Sequence, residues 1–152
     1  GTEDDGIGGF VQAAFSTPAV TPILIAGMTQ DGFMAWRDFG FVMVGGNEST
    51  TVVDVGNKAG DLAFGALVLL HDISDRLSVQ GNLLYASYDY DTEEAGQIDS
   101  AVEVSGVMTY ALSESTSFEY KLGYLAPSYS DGTPDLYEDA YIGHLLRMNV
   151  AF

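Results

Sequence analysis

The fold is decided by the stretch Ala140-Tyr-Ile-Gly-His-Leu-Leu-Arg-Met-Asn-Val-Ala-Phe152, in which apolar residues recur at every second position. One set of alternate positions holds Ala140, Ile142, His144, Leu146, Met148, Val150 and Phe152, and the other holds Tyr141, Gly143, Leu145, Arg147, Asn149 and Ala151. Successive side chains of a β-strand point to opposite faces, whereas an apolar helical stripe recurs every three to four residues. The stretch therefore predicts a β-strand with one apolar face and one mixed face.

Earlier segments repeat this alternation. Residues 77–86, 101–112 and 117–126 each place apolar side chains on one face, while Asp61–Ile73 is apolar on both faces. The connections alternate in length, because Asp72–Arg76 and Leu112–Thr116 are short whereas Asp89–Asp99 and Ser128–Asp139 are long and acidic. Tight turns at one end and longer loops at the other are typical of an antiparallel up-and-down meander. The sequence therefore predicts an all-β chain.

The first 59 residues are less regular. Candidate strands are Ile7–Phe15, Phe33–Val44 and Thr50–Val55, and Ser16–Pro22 is predicted to be a loop because its two prolines lack the N–H that a ladder requires. We therefore expect a single β-barrel domain over residues 1–152, with irregular strands and loops in 1–59 and a regular five-strand meander in 60–152. The total is about eight strands, and the irregular spacing leaves six or seven open.

The composition excludes several classes of protein. The chain of 152 residues has 22 acidic and 5 basic residues and a formal charge of −17, yet 47% of it is hydrophobic. A disordered acidic tail is poor in apolar residues, and a nucleic-acid-binding protein needs a basic surface. The absence of cysteine removes disulfides, thiolate catalysis and cysteine-based metal sites, and we expect no cofactor.

Two environments can cover the apolar face: lipid around a transmembrane barrel, or a second sheet in a soluble sandwich. Aromatic residues are sorted toward the strand ends. Those near the short turns are Phe118, Tyr120, Phe152 and Tyr110, and those near the long loops are Tyr85, Tyr88, Tyr90, Tyr124, Tyr129, Tyr137 and Tyr141. Such girdles are typical of transmembrane β-barrels. The alternative is a soluble secreted β-sandwich that serves as an adhesin or fibre subunit, with acidic loops that bind calcium or confer solubility.

The C-terminal part also resembles a known family. Residues 110–124 followed by an acidic loop and 139–152 resemble the last hairpins of Gram-negative outer-membrane porins, and His71–Val79 resembles their periplasmic turn. The resemblance implies a porin in the cell outer membrane, either about eight strands or the C-terminal part of a larger barrel, that lets small hydrophilic solutes diffuse passively. It also implies that Phe152, with Val150 and Met148, forms a signal for the outer-membrane assembly machinery. Partners would be membrane lipid and further copies or other barrel segments.

Polar residues on the less apolar face are the candidate lumen residues. They are Glu103, Glu119, Lys121, Arg147, Gln80 and Asn82. Charges inside a barrel require either partners or water, so these residues line a pore or form a paired core. The loop residues Asp89, Asp91, Glu93, Glu94 and Asp99 form an acidic cluster whose field would favour cations. Neither His71 nor His144 has an identifiable nucleophile near it in sequence, so we expect no enzymatic activity.

Overall fold

The computed structural model describes residues 6–30, 41–44, 52, 60–90, 96–130 and 139–151. These residues form seven strands, which are β1 (Ile7–Ala14), β2 (Thr21–Gln30), β3 (Gly60–Ser74), β4 (Leu77–Tyr90), β5 (Ile98–Ala111), β6 (Thr116–Tyr129) and β7 (Tyr141–Val150). Each strand pairs antiparallel with the next one along the chain, in a single sheet of order β1 to β7. The prediction of an all-β, antiparallel up-and-down chain is confirmed.

The connections alternate in length as the sequence predicts. Residues 15–20, 75–76 and 112–115 connect strands at one end, which we call the turn end, and 31–59, 91–97 and 130–140 connect them at the other, the loop end. The tightest turn is stabilised by Ser74, whose Oγ accepts hydrogen bonds from the backbone amides of Arg76 and Leu77 at 3.3 and 3.2 Å. A serine hydroxyl is well suited to this role because it bonds the backbone a few residues away.

The N-terminal third differs from the sequence prediction. β1 matches the candidate strand Ile7–Phe15 closely, but β2 was not predicted, and the predicted loop Ser16–Pro22 runs into its first two residues. Pro22 is accommodated near the start of β2, where its carbonyl accepts a hydrogen bond of 2.9 Å from the amide of Phe15. A proline costs least near a strand terminus, because fewer ladder bonds depend on its missing N–H.

The other two N-terminal candidates lie largely outside the described residues. Of the candidate Phe33–Val44, only Phe41 to Val44 are described, and they form bends and a single bridge rather than a strand. Val52 is the one described residue of the candidate Thr50–Val55 and is not in a strand. We call residues 41–44 the inner segment, because all four are buried against the sheet.

The two faces of the sheet have opposite environments. Strand pairing places Leu62, Leu84, Glu103 and Leu125 on one face, the inner face, where these side chains are buried. The alternate residues form the outer face, where large apolar side chains are exposed. The apolar run Asp61–Ile73, whose register the sequence leaves open, points Leu62, Phe64, Ala66 and Val68 inward.

The inner face is apolar toward the loop end. The inner segment packs there against the apolar side chains of β2 to β6, in a buried cluster that includes Ile25, Leu62, Phe64, Leu84, Ala86, Tyr88 and Leu125. The sheet curves around this cluster, since the 15–20 connection and β6 line a common cavity. Within the described residues β1 and β7 do not pair with each other, so the sheet is open rather than closed into a barrel.

Close approach makes Gly27 a sensitive position in the sheet. A Cβ atom at Gly27 would lie 2.5 Å from Cε1 of Phe64, its neighbour on β3, whereas a Cβ at Gly81 would meet nothing within 4 Å. We therefore expect Gly27→Ala to displace the Phe64 ring and lower the free energy of unfolding by about 1–3 kcal/mol. Gly81→Ala is the matched control, and the midpoints of denaturant unfolding of the two variants are compared. Equal midpoints would contradict this packing.

Candidate functional site: the polar half of the inner face

The inner face becomes polar toward the turn end and toward β6 and β7. All six candidate lumen residues lie on it: Gln80 and Asn82 on β4, Glu103 on β5, Glu119 and Lys121 on β6 and Arg147 on β7. The period-two alternation was sufficient to assign them to one face. Whether they line a pore remains a prediction.

Glu103 is the most completely bonded of these groups. Its side chain is fully buried, with an exposed fraction of 0%. Oε1 accepts hydrogen bonds from the backbone amide of Val42 at 2.8 Å and from the hydroxyl of Ser105. Oε2 accepts from the amides of Met43 and Val44 at 3.0 and 2.8 Å. Four donors therefore converge on one carboxylate.

This convergence explains how an acidic side chain can lie within an apolar cluster. A carboxylate without partners is very costly to bury, but its two oxygens offer about four acceptor sites. Here each oxygen accepts two hydrogen bonds, so the acceptor sites are filled. Three consecutive amides also form a concave arrangement of N–H dipoles that favours a negative charge. Glu103 thus binds the inner segment to the wall of the sheet.

A chain of side-chain hydrogen bonds extends from Glu103 toward the turn end. Ser105 receives a hydrogen bond of 3.0 Å from Nδ2 of Asn82, and Oδ1 of Asn82 receives one of 2.7 Å from Nε2 of Gln80. Asn82 and Ser105 are cross-strand neighbours, so the register of β4 against β5 brings them together. The hydroxyl of Ser105 accepts from Asn82 and donates to Glu103, because a carboxylate can only accept.

Charged side chains of β6 and β7 form a second cluster. Oε1 of Glu119 lies 3.6 Å from Nζ of Lys121 and 3.8 Å from Nη1 of Arg147. Arg147 is the cross-strand neighbour of Glu119, and its side chain is 44% exposed. The pairing of one carboxylate with two bases offsets the cost of holding Lys121 on a buried face.

A cavity of about 450 Å³ opens at the turn end beside these groups. Its polar lining includes Thr17, Thr21, His71, Asp72, Gln80, Thr109 and Glu119. The cavity connects the hydrogen-bonded network of β4 and β5 with the charged cluster of β6, and it is wide enough for water or small polar solutes.

The remaining sequence candidates are dispersed. Asp91, Glu93 and Glu94 of the acidic cluster lie outside the described residues, whereas Asp89 at the end of β4 is exposed and Asp99 lies in β5. Of the assembly signal, Val150 and Met148 are exposed on the outer face, and Phe152 is not among the described residues. His71 contacts the carbonyl of Ala19 through Nδ1, and His144 is on the outer face.

Sequence reasoning missed the inner segment and its binding by Glu103. Phe41 to Val44 form an apolar run in an irregular region, and a run of this kind is equally typical of a short strand. Gly123 also went unrecognised, although a Cβ there would lie 2.6 Å from Cγ of Met43. No local sequence signal links these residues, because the contacts join positions about 60 to 80 residues apart.

Searches of known proteins add no identification. No protein-family model, curated protein or solved structure matches the chain. Among the described residues, no helix has the length and apolar character needed to cross a membrane. These residues also contain no group of three or more His, Asp or Glu side chains placed to hold a metal ion.

The network makes a testable contribution to stability. Ser105→Ala removes one of the four donors to the Glu103 carboxylate and one acceptor of Asn82. We expect a loss of about 1–3 kcal/mol in the free energy of unfolding, because both partners stay buried. Ser128→Ala, at an exposed position near the end of β6, should change it by less than about 0.5 kcal/mol. Equal effects in denaturant titrations would contradict the network.

Proposed function

We propose that the chain forms part or all of a porin-like β-barrel in an outer membrane and allows passive diffusion of small hydrophilic solutes, with a preference for cations. The observation that carries the proposal is the distribution of side chains between the two faces. Buried polar groups of β4 to β6 on the inner face are hydrogen-bonded or ion-paired, while large apolar side chains of the outer face are exposed along every strand. This arrangement is unfavourable in water and favourable in lipid.

The outer face has the length and chemistry that a bilayer requires. The outward side chains of β6 over the nine residues 118–126 are all uncharged. They are Phe118, Tyr120, Leu122, Tyr124 and Ala126. A tilted strand crosses the hydrocarbon core with about 9–11 residues. The charged outward side chains of the described strands, Asp61 and Asp89, both lie at the loop end. This position is consistent with an apolar band that ends there.

The aromatic residues support this orientation only in part. Tyr110, Phe118 and Tyr120 are on the outer face toward the turn end, and Tyr85 and Tyr124 are on it toward the loop end. Tyr88 and Tyr90 instead lie on the inner face, where their rings stack with centroids 6.0 Å apart. The outward residues remain distributed as two belts, although the belt at the loop end is thinner than the sequence indicates.

Strand parity favours completion by further strands. In a meander of seven strands, β1 and β7 run in the same direction, so pairing them with each other would be parallel. Antiparallel closure needs an odd number of additional strands, which brings the total to the even number typical of bacterial barrels. In a second copy with the same orientation, β1 and β7 run in the same direction as in the first copy, so pairing between the copies would also be parallel. We therefore assign the closure to other barrel segments. Strand edges require such closure in lipid.

The cation preference rests on the distribution of charge. Residues Asp89–Asp99 contain five carboxylates and no base, and Ser128–Asp139 contain four and no base. Both segments are at the loop end, so their potentials add over the same mouth. A negative mouth raises the local concentration of cations, and salt screens the effect.

The soluble β-sandwich remains the competing hypothesis. A sandwich needs two sheets packed face to face, whereas the described strands form one sheet. The two hypotheses differ in a simple property, since a sandwich stays in solution without detergent and a barrel does not. Calcium binding by the acidic loops would favour the sandwich.

The function is tested by planar-bilayer recordings of the protein assembled in its membrane. We expect a conductance whose reversal potential under a salt gradient shows cation preference. Replacing Asp89, Asp91, Glu93 and Glu94 with their amides should reduce this preference, most strongly at about 0.01 M salt, where the screening length is about 30 Å. At about 1 M salt the same variant should match the unmodified protein, which provides an internal control.

Two results would contradict the proposal. A correctly inserted protein without any conductance would show that the inner face is a closed core. A conductance whose selectivity survives neutralisation at low salt would instead assign selectivity to the charged cluster inside the sheet, and the loops would have no role in it.

A further inference from the structure

We propose that Glu103 is the positioning residue that holds the inner segment across the inner face, so that its carboxylate determines the width of the passage. The inference deepens the proposed function and rests on it for the consequence in conduction. The binding of the segment itself is independent of any function.

The Glu103 carboxylate forms three hydrogen bonds between the sheet and the inner segment. Three consecutive backbone amides, of Val42, Met43 and Val44, donate to it. The inner segment also packs closely on the neighbouring strand, because Gly123 of β6 leaves room for the Met43 side chain. Glu103 and Gly123 lie on adjacent strands, and a Cβ at position 123 would be 2.6 Å from Cγ of Met43 and 3.0 Å from Cγ1 of Val42.

The position of the segment matters for any passage along the inner face. Its four residues have exposed fractions of 0 to 2%, and they cover the face near the loop end. The cavity at the turn end lies on the other side of this contact. A solute that enters from the loop end must therefore pass the segment, and releasing it would widen the route.

Glu103→Gln is a sharp test, because the two side chains have nearly the same shape. A side-chain amide has one acceptor oxygen and one NH₂ group, which can only donate. Whichever way the glutamine is turned, its NH₂ group therefore faces a backbone N–H and accepts no hydrogen bond from it. Hydrogen bonds to a charged group contribute about 1.5–3 kcal/mol, so the loss of one shifts the balance from the seated to the released position by about tenfold or more. The substitution should therefore loosen the segment while changing little else.

The natural absence of cysteine allows the position of the segment to be measured directly. Met43→Cys and Gly123→Cys create the only thiol pair in the chain, and the close approach of position 43 to position 123 favours a disulfide. In the membrane-assembled protein we expect rapid formation of this disulfide. The Met43→Cys variant alone reports release, because its buried thiol reacts with a water-soluble reagent only when the segment leaves the sheet, and Glu103→Gln should raise this labelling rate about tenfold.

Glu119→Gln is the matched control. It removes a carboxylate from the same face, and the ion pairs of Glu119 are with Lys121 and Arg147 rather than with the inner segment. The Met43→Cys thiol should be labelled at the unmodified rate in this background. A labelling rate in Glu103→Gln equal to that of the control would overturn the proposal.

A second measurement applies if Glu103→Gln fails to assemble. Hydrogen exchange of the unmodified protein should show amides of Val42, Met43 and Val44 protected as strongly as those of β5. Rapid exchange at these three amides would overturn the proposal without any variant.

Conductance separates this inference from the proposed function. Reduced Glu103→Gln with both cysteines should visit a wider conductance level about tenfold more often than its parent, and formation of the disulfide should abolish these visits. Such rescue is not expected from a general loss of stability. If the labelling rate rises but no variant conducts under any condition, the role of Glu103 stands and the porin function is wrong. If wider openings are no more frequent in reduced Glu103→Gln than in its parent, the segment does not limit the passage and that part of the inference is overturned.

Discussion

The constraint on which the rest of this structure depends is that the outer face exposes apolar side chains while the inner face buries polar groups beside its apolar cluster. Seven paired strands expose apolar side chains on the outer face, where Ile142 is 74% exposed and Leu146 is 68% exposed, and bury polar groups on the inner face. Each buried polar group then needs a partner within the protein, because burying a polar group without a hydrogen bond or an ion pair costs free energy. The network from Gln80 to Glu103 meets this requirement with hydrogen bonds, and Glu119 meets it by ion pairing with Lys121 and Arg147. Oγ1 of Thr29, also on the inner face, is buried without a hydrogen-bond partner among the described residues.

The inner segment and Glu103 depend on each other in the same way. The carboxylate needs donors because it is buried, and backbone amides that lie outside a ladder need acceptors for the same reason. One carboxylate with four hydrogen bonds satisfies both needs and brings a stretch between β2 and β3 against β5. The contact at Gly123 then fixes the position of Met43. Polar bonding thus sets where the apolar residues of the segment pack.

The sequence was sufficient for the parts of the fold that follow from local alternation. From Gly60 onward the strands, their turn ends and the faces of Glu103, Glu119, Lys121 and Arg147 agree with the period-two pattern. β2 was missed because Pro22 argues against a strand, yet its carbonyl still bonds to Phe15. The partners of Glu103 could not be predicted, since alternation states which face a side chain occupies but not which distant segment packs on it. The inward direction of Phe64 was open because both faces of β3 are apolar.

The central claim is that the outer face contacts lipid, and spin labels along β6 test it most directly. The chain has no cysteine, so single cysteines can be introduced at Phe118, Tyr120, Leu122 and Tyr124 and, on the other face, at Glu119, Lys121 and Leu125. In protein reconstituted in bilayers, the account predicts that collisions of the label with oxygen, which concentrates in lipid, are frequent at the first four positions and rare at the other three. A label series without this period of two, or outward labels that collide mainly with a water-soluble nickel reagent in protein that stays dissolved without detergent, would contradict it.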